Sequence, residues 1–170
     1  VLSAAFVVCG IIFLGFASLS GVLIITAFLQ IIFVIIANLI NYPIEHSISI
    51  YYINDAKKKL KESPDLKIIG ITGSYGKTSV KYYLETLLSA KYNVLVTPGN
   101  YNTPLGVTKT VRELLNPTHE VFICEMGARR TGQIKELCDL VHPHIGIITS
   151  VGPQHLETFH GMENVIKTKF

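Results

Sequence analysis

The sequence predicts an α/β fold, a P-loop parallel sheet with helices on both faces, preceded by an α-helical transmembrane hairpin. Three observations carry this. Residues 1 to 44 hold no charged side chain, Glu45 being the first. From residue 67 onward, short β-rich runs alternate with helical patterns of about 10 to 15 residues, the texture of βαβ units in a parallel sheet. The first of those strands leads directly into the glycine-rich turn G-S-Y-G-K-T-S at Gly73 to Ser79.

The apolar run from Val1 to Ile40 far exceeds the roughly 20 residues that one membrane helix needs. Ser18-Leu19-Ser20-Gly21 supplies small and polar residues for a turn, so two spans are expected within residues 1–41, with a single long tilted helix as the alternative. A cleaved signal is not expected, since no basic segment precedes the run and no clear small-residue cleavage site ends it. The opening on Val1 suggests a fragment. Residues 42–66 follow as a juxtamembrane linker. Its cluster Lys57-Lys58-Lys59-Leu60-Lys61 falls on the cytoplasmic side by the positive-inside rule and suits either solvent at a helix end or anionic headgroups.

That cluster dominates the net charge of +3; from Glu62 onward eleven basic residues face ten acidic ones. A folded domain so nearly neutral argues against a nucleic-acid partner, which requires clustered basic residues. Cys9, Cys124 and Cys138 fit neither zinc-site nor redox-pair spacing and read as buried or lipid-facing hydrophobes.

The elements of residues 67–170 follow in order. Lys67 to Thr72 is β-branched and apolar, a buried strand. Ser79 to Ala90 has helical periodicity, with Val80, Tyr83, Leu84, Leu87 and Leu88 on the inner face. Asn93 to Thr97 is a second strand, followed by a Pro/Gly/Asn loop and a helix over about Val107 to Leu115. Glu120 to Glu125 is a third strand, Thr131 to Leu140 a helix, His144 to Ser150 a fourth strand, and Met162 to Phe170 opens another helix.

A strand, a glycine turn and a helix starting near Lys77 make a phosphate cradle. Backbone N–H groups and the helix N-terminus face the anion, the lysine neutralises it, and a hydroxyl can bind Mg²⁺. The general pattern wants a glycine five positions before Gly76, but residue 71 is Ile. An ordinary glycine turn between strand and helix remains the plain alternative.

Thr72 to Ser79 is similar to T-G-x-x-G-K-[ST]-[ST], the shortened phosphate loop of the Mur ligase family, whose members join an amine to a carboxylate with ATP. Other motifs follow in the family's order. Gly99-Asn100-Tyr101-Asn102-Thr103-Pro104-Leu105-Gly106 resembles its G-N-x-N-[NT]-x-x-G segment, which implies substrate binding by Asn100, Asn102 and Thr103. Glu125-Met126-Gly127-Ala128-Arg129 resembles the E-M-G-A-R segment of members that add D-Ala-D-Ala to a UDP-MurNAc-peptide. His155-Leu156-Glu157 resembles the segment whose histidine binds a second Mg²⁺. Lys169 falls where related ligases carry a lysine carbamylated by CO₂, with Lys167 as the competing choice.

The resemblance covers about residues 67–170 and implies a truncated central ATP-binding domain. It implies that Gly73, Ser74, Tyr75, Gly76, Lys77, Thr78 and Ser79 bind ATP, that Thr78, Glu125, His155 and Lys169 hold Mg²⁺, and that Lys77, Glu125, His155 and Lys169 are catalytic. The reaction implied is an ATP-dependent amide ligation through an acyl phosphate in peptidoglycan synthesis. UDP-MurNAc-peptide and D-Ala-D-Ala or a related amine are the substrates. Another amide ligase of the superfamily, building poly-γ-glutamate or modifying a lipid-linked wall precursor, is the first alternative, and a membrane-tethered nucleotide-binding scaffold the second. A P-loop transporter or motor ATPase would want an acidic pair at a strand end, which Glu125-Met126-Gly127 does not give. With the apolar run, the expected location is the bacterial cell membrane, multi-pass, with the catalytic domain in the cytoplasm.

Overall fold

The computed structural model describes the backbone of residues 2–154, 156–159 and 161–169, with the side chains of residues 2–14, 16, 17 and 156 left out. The chain divides into two units, Val1–Ile48 and Ser49–Phe170.

The first unit belongs to one helix. α1 runs Leu2–Lys61 without interruption, so the expected turn at Ser18 to Gly21 does not form. Ser18 instead donates its hydroxyl to the carbonyl of Gly15, 2.8 Å away. A lone glycine lowers helix stability by only about 1 kcal/mol, and a serine that bonds back into its own helix leaves no polar group demanding a loop. Pro43 also stands inside α1, and Ser47 donates to its carbonyl at 2.8 Å. The hairpin is therefore corrected to a single helix, and the multi-pass membrane localisation that depended on two spans falls with it. By length and composition, one stretch among the described residues, Ser18–Lys61, could cross a membrane, a test that core helices of soluble proteins and signal sequences also pass.

The second unit is a four-stranded parallel sheet with helices on both faces. β1 (Lys67–Thr72), β2 (Val94–Val96), β3 (Val121–Glu125) and β4 (Ile145–Ile148) lie in the order β2-β3-β1-β4. β1 pairs with β3 from Lys67 opposite Val121 to Ile71 opposite Glu125, and with β4 on its other side. Successive side chains of a strand point to opposite faces. Ile68 of β1, with Phe122 and Cys124 of β3, joins one apolar cluster; Ile69, Ile71, Val121 and Ile123 form the other.

α2 (Lys77–Leu88) covers the second cluster; α3 (Pro104–Leu114) and α4 (Gln133–Val141) cover the first, together with Ala56 in the last turns of α1. Arg112 of α3 fixes those turns, donating to Asp55 at 2.6 Å and stacking over Tyr52. Lys59, expected at a solvated helix end, donates to the Arg112 carbonyl at 2.9 Å. The short α5 (Leu156–Phe159) and α6 (Met162–Lys169) close the described chain.

One expectation about packing needs correction. The inner face of α2 is Val80, Leu84 and Leu88, whereas Tyr83 and Leu87 are exposed; the fully enclosed residue on that helix is Lys81. β4 lies at the sheet edge, where Ile145 and Ile148 at its two ends are exposed. Cys124 is buried and its thiol is held protonated by that burial, while Cys138 is half-buried; Cys9 lies outside the described side chains.

The topology fixes where a ligand can bind. After β1 the chain crosses by α2 on one face to reach β2, and after β3 it crosses by α4 on the other to reach β4. The crossovers diverge between the carboxyl ends of β1 and β3, and such a divergence opens a crevice. Gly73 and Glu125 stand at its two lips.

Candidate functional site

The turn after β1 has the backbone of an anion cradle. Gly73 has φ +150° and Gly76 φ +79°, both unfavourable for an L residue. Gly76 caps α2 without any side-chain hydrogen bond, leaving the first amides of the helix directed at the crevice, where an anion is favoured.

The other half of the turn is tied to the segment after β4. Ser74 N–H donates to the Ser150 carbonyl at 2.7 Å and Tyr75 N–H to the Ser150 hydroxyl at 3.0 Å. The Ser74 hydroxyl bonds Gly152, and the Thr149 hydroxyl donates to the Tyr75 carbonyl at 2.6 Å. Lys77 reaches back over the loop, with Nζ 2.8 Å from the Gly73 carbonyl. Partial burial holds its ammonium below the usual lysine range, opposed by the nearby Glu125 carboxylate.

Glu125, at the last position of β3, is almost wholly enclosed. The Thr78 hydroxyl lies 3.2 and 3.1 Å from its two oxygens. Asn102 Nδ2 donates to Oε1 at 3.2 Å, and Lys81 Nζ is 3.0 Å from Oε2. The Glu125 N–H donates to the Thr97 hydroxyl at 3.0 Å. One hydroxyl proton can serve only one oxygen at a time, so three donors meet the roughly four lone-pair sites of a carboxylate. A free acceptor position remains. With the Thr78 hydroxyl beside it, this all-oxygen set suits a hard cation that takes its other ligands from water and phosphate.

The crevice continues into a cleft of about 550 Å³ lined by Lys77, Asn100, Asn102, Thr103, Arg129 and Gln154, among others. Thr103 also caps α3, accepting from Gly106 N–H at 3.3 Å. The asparagine segment is therefore anchored at one end by a helix and near its middle by Glu125.

Of the residues expected at the site, Lys77, Thr78, Glu125 and Asn102 come together, with Asn100 and Thr103 on the same cleft wall. Ser79 sits in the first turn of α2, and Tyr75 is exposed with its ring packed near Gly152. His155 lies outside the described residues. Lys169 is buried where Lys167 is exposed, but it lines a second cleft with Thr72, Met126 and Ile147 rather than the one containing Asn102. Desolvation, then repulsion from Lys77, lowers its ammonium to about 8. No cluster of three or more His, Cys, Asp or Glu side chains occurs among the described residues.

Lys81 and Thr97 were not among the expected residues. A readable signal did exist for Lys81, because it lies four residues after Lys77 on the stripe that continues through Leu84 and Leu88 toward the sheet.

Residues 71–170 match the Mur ligase middle domain family. A UDP-N-acetylmuramoyl-tripeptide–D-alanyl-D-alanine ligase of Synechocystis sp. is 47% identical over 91 residues, covering 54% of this chain and 20% of that protein. The ligase of the same name from Treponema pallidum is 42% identical over 96 residues, 56% of this chain and 21% of that one. Among solved structures, MurF from Acinetobacter baumannii superposes with a TM-score of 0.69 at 32% identity, covering 71% of this chain and 26% of that one. A MurF ligase from Thermotoga maritima in complex with ADP gives 0.67 at 35% identity, covering 71% and 28%. The chain thus spans about a fifth of the length of these curated relatives.

Proposed function

The chain belongs to the Mur ligase family, and from that premise we propose that it is the ATP-binding part of an enzyme joining a carboxylate to an amine. The substrates proposed are those in the names of its relatives, a UDP-MurNAc-tripeptide and D-Ala-D-Ala, which makes the reaction a step of peptidoglycan synthesis. The observation that carries the reading is the Glu125 carboxylate, buried at a strand end, hydrogen-bonded to Thr78 of the phosphate loop and to Asn102 of the facing cleft.

The residues divide the work. Gly73 to Ser79 and the first turn of α2 hold the ATP phosphates, and the Lys77 ammonium exchanges its carbonyl partners for phosphate oxygens. Thr78 and Glu125 are the residues that would hold Mg²⁺, which supplies charge neutralisation at the transferring phosphoryl group. Asn100, Asn102 and Thr103 place the acceptor carboxylate in the cleft beside Lys77. That carboxylate attacks the γ-phosphorus, ADP leaves, and the amine then displaces phosphate from the acyl phosphate to form the amide. Positioning and electrostatic preorganisation supply most of the rate.

His155 and Lys169 complete the proposal as ligands of a second Mg²⁺. The buried amine of Lys169, lowered to about 8, has a neutral fraction near pH 8 that can add to CO₂, losing a proton to leave a carbamate. Thr72 lines the same cleft, and its buried hydroxyl has no partner among the described residues.

The test is phosphate release from ATP by the purified full-length protein to which this chain belongs. Release that requires both UDP-MurNAc-tripeptide and D-Ala-D-Ala supports the assignment; release indifferent to both defeats the substrate assignment. A protein that binds no ATP defeats the reading as a whole.

A further inference from the structure

A lysine is almost never fully enclosed unless its charge is paired. Lys81, one turn beyond Lys77 on α2, is completely enclosed. An ammonium has three N–H donors and accepts nothing, and each donor here has its own oxygen. The Thr97 and Gly99 carbonyls lie at 2.8 Å each, and Glu125 Oε2 at 3.0 Å. The ammonium is thereby locked, with no donor left to rotate toward another group.

The three oxygens belong to three parts of the site. Thr97 ends the β2 region, Gly99 opens the asparagine segment, and Glu125 ends β3. Asn102, three residues past Gly99, returns to the other oxygen of the same carboxylate. A closed circuit therefore runs from Lys81 through Gly99 and Asn102 to Glu125 and back. Buried ion pairs often add little net stability compared with well-packed apolar residues. What this one supplies is placement: Oε2 is held by Lys81 and Oε1 by Asn102, so the carboxylate keeps one orientation beside Thr78.

Resting on the reading of Glu125 and Thr78 as the Mg²⁺ site, we propose that Lys81 is a positioning residue that sets the Glu125 carboxylate and the 97–103 segment in one register. Metal affinity and placement of the acceptor-binding asparagines then depend on the same side chain. Lys81 touches neither nucleotide nor acceptor and acts only through Glu125 and the loop carbonyls.

The experiment is a Mg²⁺ titration of ATP binding by the purified protein, followed calorimetrically, for wild type, Lys81→Met and Lys81→Arg. Methionine keeps most of the stem and removes the charge and donors. Loss of an orienting partner weakens metal affinity by about 10- to 100-fold, and the Mg²⁺ midpoint of Lys81→Met is expected to rise by that factor. Binding of ATP without Mg²⁺ changes far less than the Mg²⁺ midpoint, because Lys77 and the loop amides are untouched. Lys81→Arg, which retains the charge, recovers part of the midpoint.

A general loss of stability would not separate the two titrations in this way. A folded Lys81→Met variant with the wild-type Mg²⁺ midpoint overturns the proposal while leaving the ligase reading intact. Wild type whose ATP binding ignores Mg²⁺ removes the reading on which both rest. Should the variants not fold, the wild-type protein decides. Its Lys81 ammonium, shielded from water, gives a slowly exchanging ¹H–¹⁵N signal. That signal is expected to shift when Mg²⁺ joins ATP, and one that stays in place overturns the proposal.

Discussion

Gly73→Ala tests the phosphate turn at its tightest point. Gly73 has φ +150°, and a Cβ built there would lie 2.0 Å from Thr149 Oγ1 and 3.1 Å from both the nitrogen and the oxygen of Ser150. A non-glycine residue in that region of φ costs about 1–3 kcal/mol. The clash adds a comparable amount, since inserting a group into a filled space costs about 1–3 kcal/mol. The Thr149 hydroxyl cannot easily swing away, being held by the Tyr75 carbonyl at 2.6 Å. Together these predict a loss of about 2–6 kcal/mol, a large share of a native stability of about 5–15 kcal/mol. Urea denaturation measures it, and nucleotide binding should fall in parallel because the turn cannot keep its shape. Thr149→Ala in the same chain removes the clashing oxygen but not the strain. The pair should therefore be non-additive, with a coupling of about 1 kcal/mol or more in the relieving direction. A Gly73→Ala protein within about 0.5 kcal/mol of wild type, or a strictly additive double variant, would refute the reasoning.

Lys77→Ala removes a charged donor worth about 1.5–3 kcal/mol to a phosphate. ATP affinity, measured calorimetrically, should fall by roughly 10- to 100-fold. Asn102→Ala frees Glu125 Oε1 and one wall of the cleft, so the KM for the UDP-linked acceptor should rise by about tenfold while the KM for ATP changes less; equal changes in both would contradict the placement. For Lys169 the sign is set by a folded value of about 8 against 10.5 for the free side chain. Between those values the unfolded chain keeps a proton that the folded chain has released, so the penalty is full below about pH 8 and is relieved as pH rises toward 10.5. Lys169→Met should abolish that rise in stability, which denaturation at pH 7.5, 8.5 and 9.5 would detect.

The parts of this molecule that were legible in the sequence are those governed by local rules. The alternation of Ile68 to Ile71 across two faces, and of Val121 to Cys124 beside it, follows from β-branched runs bounded by turns. The Gly76-Lys77-Thr78 cradle was legible because a phosphate site constrains backbone, charge and hydroxyl within a few residues. The break expected at Ser18 to Gly21 failed because a helix tolerates small residues whose hydroxyls bond back into it. Lys81 was missed for the opposite reason. Its partners are 16, 18 and 44 residues away, on separate elements, and beyond its place on the Leu84 and Leu88 stripe nothing local marks the lysine as enclosed. Helical periodicity alone places Tyr83 and Leu87 on the inner face of α2, but the side turned to the sheet is the one carrying Lys81 and Leu84. Which cleft Lys169 faces, near enough to Lys77 to be repelled by it, depends on how α6 packs, which spacing after His155 does not encode.

The two halves of the phosphate turn also differ in how much must change when a phosphate arrives. The amides of Ser74 and Tyr75 are already satisfied by Ser150, and the Ser74 hydroxyl by Gly152. Those bonds bridge β1 to the far side of β4 and give the turn its shape without a nucleotide. The start of α2 has no side-chain cap, and Lys77 is held only by two carbonyls of its own loop, at 2.8 and 3.4 Å. Carbonyls bind an ammonium less strongly than a phosphate does, because a phosphate adds the attraction of a full opposite charge. Arrival of a phosphate therefore asks little of the backbone and one exchange of partners from Lys77. A loop preorganised in this way suits the phosphate site proposed for it, and across the crevice Glu125 is held with the same economy by Thr78, Asn102 and Lys81.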